Sequence, residues 1–165
     1  MNIQIVPVCN EHVEGYHACL DLVARERRYI GIVEAPPLDA CRAWIAENVA
    51  KQTPYFVALD KAQVVGWCDI KLTDRPGFTH RGRLGMGVHP AYRGRRVGTR
   101  LLAACVAQAR GMEIERVELE VYASNAHARH LYEAFGFIVE GYKTRARKLD
   151  GAYDDIIDMV LILAE

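Results

Sequence analysis

The chain has no Cys-x-x-Cys pair, no apolar run long enough to span a bilayer, no P-loop and no net charge. Each absence removes a class of function. The five cysteines, Cys9, Cys19, Cys41, Cys68 and Cys105, are odd in number and widely spaced. That argues against a disulfide framework or a zinc ribbon and fits small buried side chains in a reducing compartment. A formal charge of zero and a pI near 7.0 leave no footprint for nucleic acid. The opening residues, Met1 to Pro7, lack a basic stretch followed by an apolar run, so no secretory leader is expected. The apolar run from Met159 to Ala164 is only strand-sized. A cytoplasmic chain with no membrane contact is the expectation. His127 and His130 are three apart, but no third ligand and no His-Glu-x-x-His pattern accompanies them, so no metal is expected.

What is present fits a globular enzyme-sized unit. With 165 residues, 51% hydrophobic and 25% charged, the chain is expected to form a single domain over residues 1–165. Ile3 to Val6 reads as a short strand. Val13, Tyr16, Leu20 and Val23 recur at helical spacing, and Cys41, Trp44, Ile45, Asn48 and Val49 form a second helical stripe. Tyr55 to Leu59 and Gln63 to Leu72 read as a hairpin around Asp60-Lys61-Ala62. In its second strand Val64, Gly66, Cys68, Ile70 and Leu72 alternate with Trp67, Asp69 and Lys71, which predicts one buried face. Arg83 to Val88 is a further strand, and Val97, Leu101, Cys105 and Ala109 set a helix. Val117 to Val121 alternates as a strand. Ala128, Leu131, Tyr132 and Phe135 mark a short helix that stops at Gly136. Ile138 to Lys148 and Tyr153 to Leu163 flank Asp150-Gly151, a hairpin signal because a type I′ turn needs positive φ at both central residues. The order β-α-α-β-β-β-α-β-α-β-β predicts a mixed α/β sheet with helices on both faces.

The most informative stretch runs from Val88 to Thr99, between a strand and a helix. Arg93, Arg95, Arg96 and Arg100 crowd the helix start. A helix N-terminus already carries partial positive charge, so cations there call for a compensating anion. Backbone N–H groups of the first turn can bind phosphate oxygens, Gly94 and Gly98 permit close approach, and Thr99 adds a hydroxyl. Charge alone would fit a solvated basic loop. Charge, glycines and the strand-to-helix position together favour phosphate. Gly85-Met86-Gly87 is not a dinucleotide fingerprint, since the third glycine is missing.

These residues resemble the GNAT superfamily of N-acetyltransferases. The family pattern at this helix is Arg or Gln, two residues, Gly, one residue, then Gly or Ala. Arg93 matches its first position and Gly98 its last, while Arg96 stands where the middle glycine usually is. A second stretch, Asn125 to Phe137, matches the family's Asn, Ala, Leu-Tyr, Gly-Phe pattern, and Glu140 through Met159 reads like its closing hairpin. The resemblance covers about Val64 to the C-terminus. It implies a single mixed, mostly antiparallel twisted sheet and acetyl-CoA as co-substrate. It further implies that strands Arg83 to Val88 and Val117 to Tyr122 splay, with pantetheine pairing to the backbone of Met86 and Val88. The cofactor-binding set is then Met86, Val88, Arg93, Gly94, Arg95, Arg96, Val97, Gly98, Thr99 and Asn125, the last bonding the pantetheine arm.

Acetyl transfer to an amine needs a neutral amine, a stabilised oxyanion and a protonated leaving thiolate. By resemblance Tyr132 faces the sulfur, and a phenol with pKa near ~10 can donate there. A backbone N–H near Val88 would meet the oxyanion. For the general base, Glu118 and Glu120 share a strand face and either could hold a proton-accepting water; Glu120 is the candidate taken forward, and His80 is a further one. Tyr29, Glu34, Asp74, Phe78, Tyr153 and Asp154 fall in segments that wall the acceptor site in related proteins. Lys143, Arg145 and Arg147 read as a solvated strand face. The expected activity is direct attack by a small-molecule or peptide amine in a ternary complex. The alternative is a non-catalytic acyl-CoA sensor. By fold analogy the final strands could join two copies as a homodimer.

Overall fold

The computed structural model describes residues 2–163, so Ala164 of the C-terminal apolar run lies outside the described residues. Packing divides the chain into two compact units. The first runs up to Lys71 and resumes over Gly85–Met112; the second takes Leu72–Leu84 and the chain from Glu113 on.

The first unit opens with β1 (Ile3–Pro7), a short 3-10 turn at Asn10–His12, and two helices, α1 (Val13–Arg25) and α2 (Leu38–Ala50). Helix α1 buries Val13, Tyr16, Cys19, Leu20, Val23 and Ala24, the stripe its spacing predicts. In α2 the buried side is Cys41, Ile45 and Asn48, whereas Val49 turns outward. Asn48 is tolerated inside because it is bonded at both ends. Its Nδ2 donates to Trp44 O at 2.7 Å, and Thr53 Oγ1 donates to its Oδ1 at 2.7 Å.

Strands β2 (Tyr55–Asp60) and β3 (Gln63–Leu72) pair antiparallel. The register skips a residue between Ala58 and Leu59, so Gly66 opposes Ala58 but Val64 opposes Leu59. This bulge overturns the simple alternation expected of β3. Val64 packs with Trp67, Tyr16 and Tyr55 in the core under α1 and α2. Both faces of β3 are buried from Val64 to Cys68, because α3 (Val97–Arg110) covers the other side. There Cys105 Sγ donates to Cys68 O at 3.0 Å, and a methyl on Gly66 would meet Leu101 at 3.1 Å. Fully burying Leu101 and Leu102 contributes roughly 1.5–3 kcal/mol each.

The second unit holds β5 (Arg116–Tyr122), α4 (Ala126–Phe135), β6 (Ile138–Leu149) and β7 (Ala152–Ile162). Strand β7 pairs antiparallel with both β5 and β6. The hairpin between β6 and β7 turns at Asp150 (φ 51°) and Gly151 (φ 77°), both positive as a type I′ turn requires. Helix α4 ends at Gly136 (φ 108°), with Gly136 N–H donating to Glu133 O and Phe137 N–H to Tyr132 O, a Schellman closure.

Strand β4 (Arg81–Val88) begins two residues before the predicted start. The seven strands form one open mixed sheet in the order β1-β2-β3-β4-β5-β7-β6. The pairing of β4 with β5 is parallel and covers only Arg81↔Arg116 to Arg83↔Glu118. The ladder stops there although both strands run on.

Candidate active site

Met86, Val88 and residues 93–99 fall in the first unit; Glu120, Asn125 and Tyr132 fall in the second. Within the first unit, β4 ends at Val88 and leads through a 3-10 turn, Pro90–Tyr92, capped by His89, whose Nδ1 accepts from Ala91 N–H at 3.1 Å. The loop then bends at Gly94 (φ 73°) and again at Arg96 (φ 60°, ψ 17°), the N-cap of α3. Arg96 therefore sits in the left-handed region where a glycine would be unstrained, at a cost of about 1 kcal/mol. Its side chain makes no capping hydrogen bond, and α3 has no acidic residue in its first turn. The first N–H with a helical partner is Arg100, which donates to Arg96 O at 3.1 Å. The N–H groups of Val97, Gly98 and Thr99 are thus the donors a helix start offers an anion.

The loop arginines divide the work. Arg93 grips Glu26 with Nη1 at 2.8 Å and Nη2 at 2.5 Å, and its Nε donates to Val88 O at 3.0 Å. Its guanidinium also lies 4.8 Å from the Tyr29 ring centre. Its side chain is a strut between the end of β4 and the end of α1, which differs from a free phosphate ligand. Arg95 lies over Tyr92, and Arg100 Nη2 donates to Ile3 O at 3.0 Å. Arg96 is exposed.

Strand β4 carries glycine at 85 and 87 on the side facing Trp67 and Asp69 of β3. A methyl on Gly87 would come within 2.3 Å of the Trp67 ring, so the indole occupies that place. A methyl on Gly85 would meet a single neighbour within 4 Å, Asp69 Oδ1 at 3.5 Å. Asp69 is half-buried, opposite Tyr55 in the ladder. Burial pushes its carboxyl up to about 7, with Lys71 offsetting part of the rise. Tyr16 packs edge-on against both Tyr55 and Trp67, each at 5.8 Å. Sequence reasoning missed this carboxylate because it treated Trp67, Asp69 and Lys71 as the solvent side of β3. The signal available was the pair of glycines on the neighbouring strand.

In the second unit Asn125 caps α4, its Oδ1 accepting from Ala128 N–H at 3.2 Å. That leaves its Nδ2 as the group able to reach a ligand. Tyr132 is 7% exposed and packs against Phe137 with ring centres 5.7 Å apart. Asp154 ties down the turn before α4 through the N–H and Oγ of Ser124.

Glu120 lies in a groove of about 370 Å³ lined by strand charges, among them Arg83, Glu118, Glu140, Lys143 and Asp158. Lys143 Nζ at 2.7 Å and Arg83 Nη2 at 2.6 Å both reach Glu120. The Lys143 bond, with Arg83 behind it, holds its carboxyl below the usual range. An acid so stabilised in its charged form takes up a proton reluctantly, which speaks against the general-base expectation. Glu118 is likewise engaged by Arg116 at 2.6 Å. Lys143 and Arg145 are exposed on β6 as expected of a solvated face, and Arg145 and Arg147 also lie over the Tyr153 and Tyr122 rings. Through its carbonyl, His80 anchors the chain before β5, accepting from Glu115 N–H at 2.8 Å. Among the described residues no group of three or more His, Cys, Asp or Glu side chains is placed to hold a metal.

The chain is similar to several known proteins. The chain is 28% identical over 161 residues to the L-amino acid N-acetyltransferase AaaT of Escherichia coli, covering 95% of this chain and 98% of that protein. It is 33% identical over 135 residues to the N-alpha-acetyltransferase RimI of Mycobacterium tuberculosis, covering 81% and 79%. A phosphinothricin acetyltransferase from Sinorhizobium meliloti, solved in complex with acetyl-CoA, superimposes with a TM-score of 0.91 at 16% identity, covering 99% of this chain and 90% of that one. A family model described as the acetyltransferase (GNAT) family matches residues 16–137, across the arginine loop, both ends of β4 and the Asn125–Tyr132 segment; the chain belongs to that family of acyl-transferring enzymes.

Proposed function

We propose that this chain is an acetyl-CoA-dependent N-acetyltransferase acting on a primary amine, either a free amino acid or a peptide α-amine, by direct attack in a ternary complex. The α3 N-terminus carries the reading: uncapped N–H groups, no acidic neighbour and a strained arginine at the cap. In this reading the backbone of residues 94–99, with the side chains of Arg95, Arg96 and Thr99, holds the pyrophosphate, and Arg93 keeps the loop in place. Met86 and Val88 offer backbone groups to the pantetheine arm, and Asn125 contributes its Nδ2. Tyr132 donates its phenolic proton to the departing thiolate. Glu120 contributes fixed charge to its groove. The acceptor classes follow the names of AaaT and RimI.

The same reading treats the chain as one catalytic domain, since the family match runs through both units, and takes the cytoplasm as its place of action. Ile138 and Tyr142, 63% and 61% exposed on β6, would suit pairing of two copies, which sedimentation would detect.

Calorimetric titration of acetyl-CoA tests the loop. Wild type binds; Gly98→Glu, which puts an acid where the phosphates sit, loses most of the affinity. Arg96→Gly melts higher, by about 1 kcal/mol of stability, yet binds more weakly. Equal binding by all three would remove the loop from the cofactor site.

A further inference from the structure

We propose that Asp69 is the proton acceptor for the incoming amine, which enters the place that Gly85 leaves open beside it. The inference rests on the acetyltransferase reading and names a base that this reading lacks.

The place is built by β3 and β4 together. Trp67 and Asp69 sit two apart on one face of β3, over Gly87 and Gly85, two apart on β4. The indole fills the position over Gly87. Over Gly85 there is room for a group in van der Waals contact with Asp69 Oδ1, 3.5 Å from where a side chain would begin. Met86 and Val88, whose backbone is assigned to the pantetheine arm, are on the same strand.

The groups facing Asp69 suit a proton acceptor. From α1 comes Tyr16 and from β2 Tyr55, both phenols pushed up by burial and so uncharged. From β3 itself comes Lys71, which lies 5.4 Å from the Trp44 ring on α2. From β4 the residue beside Asp69 Oδ1 is Gly85. No described group donates a hydrogen bond to the Asp69 carboxylate, so its charged form lacks the support that Glu120 has. A carboxyl that titrates near neutrality is matched to taking a proton from an amine at physiological pH.

Proton and electron counts close. An ammonium, R–NH3⁺, gives one proton to the Asp69 carboxylate. The freed lone pair forms the C–N bond at the thioester carbonyl, and the C–S bond breaks with its electron pair going to sulfur. A second nitrogen proton is lost as the amide forms, balancing the one gained by the thiolate. Asp69 then returns its proton to water.

The experiment combines Asp69→Asn and Gly85→Ala with a carboxyl titration of wild type. The amine probes are free L-amino acids and an alanine-terminated tripeptide, at pH 6 to 9. Asp69→Asn is expected to lower kcat ~100-fold or more at pH 7. The deficit shrinks below ~10-fold by pH 9, where an α-amine of pKa near ~8 has already lost its proton. Its acetyl-CoA affinity stays within about twofold, since the carboxylate is not assigned a phosphate or pantetheine contact. Gly85→Ala, whose methyl has room, raises KM for the amine. Carbon-13 NMR should show the Asp69 carboxyl titrating near neutrality. A midpoint near 4, or a deficit constant with pH, overturns the assignment. Failure of wild type to bind acetyl-CoA at all is a failure of the acetyltransferase reading, and Asp69 falls with it.

Discussion

Asp69 and Glu120 are both strand carboxylates, and their surroundings give them opposite chemistry. Asp69 lies among aromatic rings and glycine, with one cation on its own strand. Glu120 lies in a charged groove with a lysine and an arginine bonded to it. Desolvation raises the first; paired cations lower the second. Residue type and strand position, all that a sequence offers, are nearly the same for both. The environment decides which carboxylate can take a proton at neutral pH and which stays charged.

The contrast can be broken at Trp67. Gly87→Ala forces the indole away from β4, and such overpacking typically costs about 1–3 kcal/mol, read as a lowered midpoint in denaturant unfolding. An unchanged midpoint would show that the ring does not hold this face closed.

Stability as a function of pH sharpens it. Asp69 binds its proton more tightly folded than unfolded, so its effect has a definite sign. The folded state is favoured below the ordinary carboxyl value of 3.8, and stability is lost as pH rises through about 7. Asp69→Asn removes that loss and should raise stability at pH 8 while differing little at pH 4. Equal gains at both pH values would mean that ionisation of Asp69 is not the cause. Glu120 runs the other way. Its folded value is lowered, so its contribution is present above 4.5 and is lost as pH falls through the depressed folded value. With both partners near solvent, Glu120→Gln should cost less than about 1 kcal/mol at pH 7, and the cost should shrink as pH falls below 4.5.

Local chemistry was the part of the molecule readable in advance. Asp150-Gly151 announced its turn because few residues accept positive φ twice, and Gly136 announced the end of α4 for the same reason. The arginine loop was legible because cations at a helix start are out of place without an anion. Long-range partners were not. Glu26 lies far along the chain from Arg93, and no local pattern links them. The Val65 bulge defeated the alternation rule, because one extra residue sends Val64 to the other face of the sheet. Asp69 was overlooked as a result of assuming that a polar residue in an alternating strand faces water.

Acetyl transfer itself is read by mass spectrometry of acetyl-CoA incubated with wild type and a panel of L-amino acids and alanine-terminated peptides. The expected result is an N-acetylated amine formed in equal amount to free coenzyme A, with both suppressed in Gly98→Glu. Tight acetyl-CoA binding by folded protein with no acetylated amine from any member of the panel would contradict it and leave an acyl-CoA sensor.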